Sequence, residues 1–257
     1  MTFASLHVPG RPLLLPNVWE FGLAAALAAA GYPAVGTTSL GVSAAAGFAD
    51  GAPGTRAATV LLARRLAPLD VLVSVDLADG FSADPAEVAD LVAELAEAGV
   101  AGVNLEDGRA DGTLAPADVQ CALLRTVRER VPSVFLNART DTHWLGAGTT
   151  ADAADRARAY ANAGADGVFV PGIASPEDVS AIVAAAEVPV NVLYLPGKVT
   201  LSGLASLGVA RVSLGSTPYR VALAAAVATV DAVRDDGPLP LQPPSYGAVT
   251  ELLPEHG

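Results

Sequence analysis

Along most of the chain, short runs of β-branched and other apolar residues alternate with longer alanine-rich stretches of helical period, and glycine or proline stands between them. The short runs predict strands near Pro12–Leu15, Ala34–Thr38, Val71–Val75, Gly102–Leu105, Ser133–Asn137, Gly167–Val170, Val188–Leu193 and Arg211–Ser213. The longer stretches predict helices over Glu20–Ala30, Thr55–Leu66, Pro85–Ala98, Pro116–Arg130, Ala151–Ala163, Pro176–Ala185, Leu201–Leu207 and Pro218–Val233. Asp84-Pro85 before Glu87 and Ser175-Pro176 before Glu177 are helix-start signals. The strands read as apolar on both faces, the pattern of buried parallel strands.

One phrase recurs: Ala-Gly-Val-Ala-Gly-Val-Asn over 98–104, Ala-Gly-Ala-Asp-Gly-Val-Phe over 163–169 and Leu-Gly-Val-Ala-Arg-Val-Ser over 207–213. Each puts a helix-ending glycine directly before a strand. Eight such units in about 230 residues suit an α/β fold of the (β/α)8 TIM-barrel type better than a doubly wound sheet. No linker interrupts them, which predicts one barrel domain over residues 1–240 and a C-terminal extension over 241–257. The tail from Asp235 has four prolines by Pro244 and ends in a short Ala248–Leu253 piece.

Composition narrows the function classes. The 257 residues carry 15 Lys+Arg against 27 Asp+Glu, a net charge of −12, and are 52% hydrophobic and 16% charged. That excludes a disordered chain and argues against nucleic acid, whose phosphates need a basic face. Mean hydropathy is +0.44, yet Phe21–Ala30 and Val221–Val230 are about half the roughly 20 residues a bilayer requires. Met1-Thr-Phe-Ala-Ser has no basic region before an apolar core and does not resemble a signal peptide. The lone Cys121 cannot form an internal disulfide, and the Cys and His residues lack zinc-site spacing. The expectation is a soluble cytoplasmic protein that binds neither membrane nor nucleic acid.

A barrel places its chemistry on the loops after the strands, and the exceptional polar residues of this chain stand there. Asn17, Ser39-Leu40-Gly41, Asp76 with Asp79, Glu106-Asp107 and Asn137-Ala-Arg139-Thr-Asp141 follow successive predicted strands. Carboxylates converging with an arginine suit a hard divalent cation plus an anionic ligand. Mg²⁺ takes one or two carboxylates, water and substrate oxygens, and Arg139 can grip a carboxylate or phosphate with its fork of donors. The competing reading is that Asp76 and Glu106 pair with Arg139 for stability alone.

These segments resemble the isocitrate lyase/phosphoenolpyruvate mutase superfamily. The resemblance is carried by Leu15-Pro-Asn17-Val-Trp19-Glu20; Gly36-Thr-Thr-Ser39-Leu-Gly41-Val with Gly47-Phe-Ala-Asp50-Gly; Val75-Asp76-Leu-Ala-Asp79-Gly80-Phe; Gly102-Val-Asn-Leu-Glu106-Asp107; Asn137-Ala-Arg139-Thr-Asp141; and Asn191 through Ser213-Leu-Gly215. It implies a Mg²⁺-dependent barrel, with Mn²⁺ as the alternative ion, acting on 2-oxo acids or their enol forms. It also implies a homo-oligomer, dimer or tetramer, with the last helix exchanged between subunits. By position, Asp76 would be the direct metal ligand and Glu106 an outer-sphere one, with Asp50 near the metal. Ser39, Leu40 and Gly41 would hold the substrate carboxylate through backbone N–H groups, Trp19 and Asn191 would line the substrate, and Arg139 would clamp the enolate oxygen.

Three departures redirect the reaction. Ala78 stands where the family has a second acid, and Asp79 is the candidate replacement. The loop Gly108–Leu114 lacks the Lys-Lys-Cys-Gly-His segment of the lyase branch, and also the lysine and asparagine of the phosphomutase branch. The expectation is therefore a lyase that cleaves a C–C bond in a small 2-oxo acid, by decarboxylation or retro-aldol cleavage. The alternatives are a P–C bond enzyme acting on a phosphonate and a non-catalytic 2-oxo-acid binder.

Other residues have plainer readings. Arg109 is a candidate for a distal carboxylate, against a solvated loop arginine. Lys198, the only lysine, sits in a Pro-Gly turn rather than on a strand, which disfavours a Schiff base. His143 is a loop or interface residue before it is a general acid, and Cys121 a core residue. His7 and His256 have no chemical partners in sequence. A triad of Ser39, His143 and Asp76 lacks a nucleophile elbow. Gly215-Ser-Thr opens the last helix as an ordinary N-cap or, less simply, as a phosphate site.

Overall fold

A computed structural model describes residues 2–52 and 54–253, so His256 lies outside the described residues. The strands are β1 (Leu13–Leu15), β2 (Asn17–Val18), β3 (Ala34–Thr37), β4 (Leu72–Asp76), β5 (Gly102–Glu106), β6 (Phe135–Arg139), β7 (Gly167–Val170), β8 (Val190–Leu193) and β9 (Arg211–Ser213). The helices are α1 (Phe21–Ala29), α2 (Ser39–Ala45), α3 (Gly54–Leu66), α4 (Pro85–Glu97), α5 (Ala117–Arg130), α6 (Thr150–Asn162), α7 (Pro176–Ala185), α8 (Leu201–Ser206), α9 (Thr217–Arg234) and α10 (Tyr246–Thr250). All strand pairs are parallel, in the order β1-β9-β8-β7-β6-β5-β4-β3-β2.

The nine strands make eight staves. Pro16 has no N–H to give a ladder, and it divides the first stave in two. Its lower half pairs with β9, Leu13 opposite Arg211, and its upper half pairs with β3, Asn17 opposite Gly36. The Pro16 carbonyl still accepts a 2.9 Å hydrogen bond from the Gly36 N–H, so the seam holds. The result is a (β/α)8 barrel with the short helix α2 added where the sequence suggested only a loop.

The outward strand residues, such as Val35, Val73, Val75, Val103, Leu136 and Val192, are buried with the helices in one apolar cluster. Burying each stabilises the fold by roughly 1.5–3 kcal/mol relative to exposure. The helix-start signals hold: Asp84 caps α4 before Pro85, and Ser175 caps α7 before Pro176. Cys121 is buried in α5, as expected of a core residue.

The inward face departs from the expectation of apolar strands on both sides. Only the bottom of the lumen is apolar, where Phe3, Leu13, Leu15, Ala34 and Phe135 form a second, separate cluster. Gly102 leaves room for the Phe3 ring, which a Cβ there would approach to 2.8 Å. Above that plug the buried polar residues include Ser74, Asp76, Asn104, Asn137, Asn191, Arg211 and Ser213. Most of them bond to one another across the lumen, as where Asn137 Nδ2 donates to Asn104 Oδ1 at 2.9 Å and Asn191 Nδ2 to Ser213 Oγ at 3.1 Å, while Ser74 Oγ, one Asp76 oxygen and Arg211 Nη1 have no partner. Buried polar groups with partners carry little penalty, which is why a polar lumen is tolerated.

One helix stands apart. α9 has no buried residue, and Val221, Val227, Val230 and Val233 are 61%, 62%, 68% and 64% exposed. Among the described residues, no helix is long and apolar enough to cross a membrane.

Candidate active site

A cavity of about 190 Å³ opens where Asp76, Arg139 and Ser213 end their strands, and Ser39, Leu40 and Asp50 form part of its wall. Asp76 closes β4 and is 8% exposed. Its backbone N–H donates to Thr37 Oγ1 at 2.8 Å, and its Oδ2 accepts a 3.3 Å bond from the Ser39 N–H. Its Oδ1 is buried without a hydrogen-bond partner. The Ser39 hydroxyl donates to Asp50 Oδ2 at 3.5 Å, and partial burial raises the Asp50 pKa above the ordinary carboxylate value.

Arg139 is held on three sides. Its Nη1 lies 2.8 Å from Glu106 Oε2, its Nε donates to Asp141 Oδ1 at 2.6 Å, and its plane lies over the Phe169 ring at 5.5 Å. Burial works against its charge, but Glu106, Asp141 and Asp76 more than offset that and keep it protonated. Burial pushes Glu106 up to about 8 despite Arg139, with the charges of Asp76, Asp141 and Asp79 adding to the rise. Burial likewise raises Asp141.

Asp107 supports this pair from behind. It is 1% exposed and accepts from Arg156 Nη1 at 3.0 Å, the Tyr160 hydroxyl at 2.6 Å and the Asp141 N–H at 2.8 Å. Gly108 is required next to it, because a Cβ there would fall 2.4 Å from Asp141 Oδ2. Across the mouth, Asn17 Oδ1 accepts the N–H groups of Leu214 and Gly215, both at 2.8 Å, while its Nδ2 donates to the Thr37 carbonyl at 2.8 Å.

The cavity thus brings together Asn17, Ser39, Leu40, Asp50, Asp76, Arg139 and the Gly215–Thr217 turn from the residues singled out in the sequence. Glu106 joins them through Arg139, and with Asp79 and Arg109 it lines a neighbouring cavity of about 150 Å³. The turn carrying Asp79 runs through left-handed residues, Ala78 at φ 49°, Gly80 at 94° and Phe81 at 60°. Trp19, Gly41 and Asn191 are outside the lining. Trp19 packs edge-on to Tyr219 at 5.1 Å, Gly41 lets Thr38 and Trp19 close behind α2, and Asn191 is buried against Ser213.

Asn104, Trp144, Phe169, Tyr194 and Arg220 also line the main cavity. Their signal was the inward register for Asn104 and Phe169, two residues from another inward position. His143 is outside it, near Thr150, and the N-cap residue Ser216 makes no side-chain cap bond.

The donor set fits a hard divalent cation. Asp76 offers a buried carboxylate oxygen with no other partner, the ligand type Mg²⁺ takes. Among the described residues no three His, Cys, Asp or Glu side chains converge as a metal cage, in keeping with an ion that relies on water and substrate oxygens.

Fold and mouth together define an α/β barrel protein with a carboxylate–arginine site at the C-terminal ends of its strands. A family model described as phosphoenolpyruvate phosphomutase matches residues 3–234. The chain belongs to that family, within the superfamily that also contains isocitrate lyase. It is 44% identical over 245 residues to the uncharacterised protein Rv1998c of Mycobacterium tuberculosis H37Rv, covering 95% of this chain and 93% of that one. It is 31% identical over 180 residues to an oxaloacetate decarboxylase of Bradyrhizobium sp. ORS 278, covering 66% and 61%. A solved structure assigned as a candidate phosphonomutase, from Burkholderia cenocepacia J2315, is 40% identical and matches 89% of this chain and 96% of its own with a TM-score of 0.84.

Proposed function

We propose that the chain is a Mg²⁺-dependent lyase that breaks a C–C bond in a small 2-oxo acid, by decarboxylation or retro-aldol cleavage, through an enolate. The observation that carries this reading is the buried, unpartnered Asp76 oxygen sharing one cavity with Arg139. Asp76 would hold the ion directly and Glu106 from the outer sphere. Bound there, Mg²⁺ supplies Lewis-acid stabilisation of charge on the ketone oxygen.

The chain's own groups do the rest. When the C–C bond breaks, its electron pair moves onto the 2-oxo oxygen, and Arg139, already charged and fixed, donates to it as an oxyanion-hole group. Ser39 and Leu40, which line the cavity, would hold the 1-carboxylate. The fragment that leaves is CO2 in decarboxylation, or a carbonyl compound whose hydroxyl proton passes to solvent in retro-aldol cleavage. A proton from solvent completes the product carbon. The loop over Gly108–Leu114 favours this simple chemistry. It is a hairpin bridged between Gly108 and Leu114, closed by Arg109 N–H to the Thr113 carbonyl at 2.9 Å, and it has no Cys, His or Lys. The partial similarity to an oxaloacetate decarboxylase supports the same reaction class.

A second reading, cleavage or migration of a P–C bond in a phosphonate, draws support from the candidate phosphonomutase. The reading also includes a homo-oligomer in which a second copy covers the exposed valines of α9.

A thermal-shift titration with oxalate, an enolate mimic, and Mg²⁺ tests the site, followed by turnover assays on oxaloacetate and phosphonopyruvate. The expected result is a rise in Tm that needs both additions, with release of CO2 from oxaloacetate. Turnover of phosphonopyruvate alone would move the reaction to the second reading. No joint shift would overturn both.

A further inference from the structure

Beneath the mouth lies a cation the proposed chemistry does not use. Arg211 opens β9 with its side chain in the lumen, and it is 1% exposed. Its Nε donates to Ser213 Oγ at 3.1 Å and its Nη2 to Asn104 Oδ1 at 3.2 Å, while Nη1 is buried without a partner. Among the described residues, no carboxylate forms an ion pair with it. Near it stand the Phe3 ring, at 6.0 Å, and His7, which is stacked on Phe135 at 4.2 Å. Burial and the charge of Arg211 lower the His7 pKa to about 4, so this neighbour is neutral.

Burial lowers the Arg211 pKa to about 9, still above neutral pH, and Asp76 is the acid whose charge offsets that fall. The geometry agrees, since Asn104, which accepts from Arg211, is the ladder partner of Asp76. A buried charge without a counterion is costly to keep. Its field acts through the low-dielectric lumen on whatever occupies the cavity above.

We propose that Arg211 is the fixed interior cation of the site, a positioning residue that weakens divalent-cation binding at Asp76 and strengthens the binding of anions over it. The inference rests on the reading of Asp76 as the metal ligand. It also gives the site a division of labour: Arg139 contributes directed hydrogen bonds, and Arg211 contributes potential without contact. An anionic substrate would then recruit the ion with it, because the cation alone is held back by Arg211.

The test uses the full-length protein and measures two affinities, Mg²⁺ alone by calorimetry and oxalate at saturating Mg²⁺. Arg211→Met removes the charge, Arg211→Gln removes it while keeping a hydrogen-bonding head, and Arg211→Lys keeps it. The charge-removing variants are expected to bind Mg²⁺ at least ~10-fold more tightly and oxalate at least ~10-fold more weakly, and Arg211→Lys to stay within about 3-fold of wild type on both. Loss of a merely structural arginine would weaken both ligands together, so parallel shifts overturn the inference, as do unchanged affinities. If Arg211→Met does not fold, Arg211→Gln carries the same comparison. Wild-type protein that binds neither Mg²⁺ alone nor oxalate at saturating Mg²⁺ would overturn the proposed function and this inference with it. Wild-type protein that binds Mg²⁺ with the same affinity as Arg211→Gln would overturn this inference alone.

Discussion

Arg139 and Arg211 both point into the lumen from strands of the same barrel, and their surroundings are opposite. Arg139 at the mouth is held by Glu106 and Asp141 and backed by Phe169. Arg211, deeper, has two neutral acceptors and an orphaned Nη1. The mouth arginine is aimed because three neighbours fix its plane, whereas the deep one has no carboxylate in contact with it. Height along the lumen, more than residue type, decides which role an arginine takes.

The comparison can be broken most severely at the carboxylate next to both. Asp76→Ala is expected to abolish the joint oxalate and Mg²⁺ shift while circular dichroism reports an intact barrel; a surviving shift would remove Asp76 from the metal site. Phe3→Ala cuts away the plug beneath Arg211 and should cost about 3–5 kcal/mol in urea unfolding. The ligand response should persist, since the plug belongs to stability.

Arg139→Ala removes the aimed cation and should lower kcat/KM by at least ~2 kcal/mol, as for loss of an oxyanion donor. A nearly normal kcat/KM would assign that role elsewhere. The smallest effect is a pH dependence. Burial raises Glu106 from 4.5 to about 8 in the folded protein, so the folded state holds its proton more tightly than the unfolded chain. The stability this contributes is full below 4.5 and is lost as pH rises through about 8. The Tm of metal-free protein should fall across that window, and Glu106→Gln should flatten the fall.

Much of this was legible in the sequence, for identifiable reasons. The alternation of valine-rich runs and alanine-rich helices located every stave, because the outward strand faces are uniformly apolar. What the sequence could not give was height in the lumen. Asn191 and Leu193 are two residues apart on β8, yet Leu193 lines the cavity and Asn191 lies buried below it. Asn104 stands two residues before Glu106 on β5, yet Asn104 lines the main cavity and Glu106 the neighbouring one. The division of the first stave follows from one missing N–H at Pro16. Helix α2 was hidden because Ser39–Ala45 is short and follows β3 directly, leaving no periodic stretch to recognise.

The Asn17 side chain turns the seam of the barrel into a gauge. Its Oδ1 pins the Leu214 and Gly215 amides to the stave that Pro16 interrupts, and those residues also line the cavity. In deuterated water the two amides are expected to exchange when Asn17 lets go of them, which opens the seam at that point. Their exchange rate therefore counts openings of the closed ring of strands, and a molecule seated against the β9–α9 turn slows the count before any bond is broken.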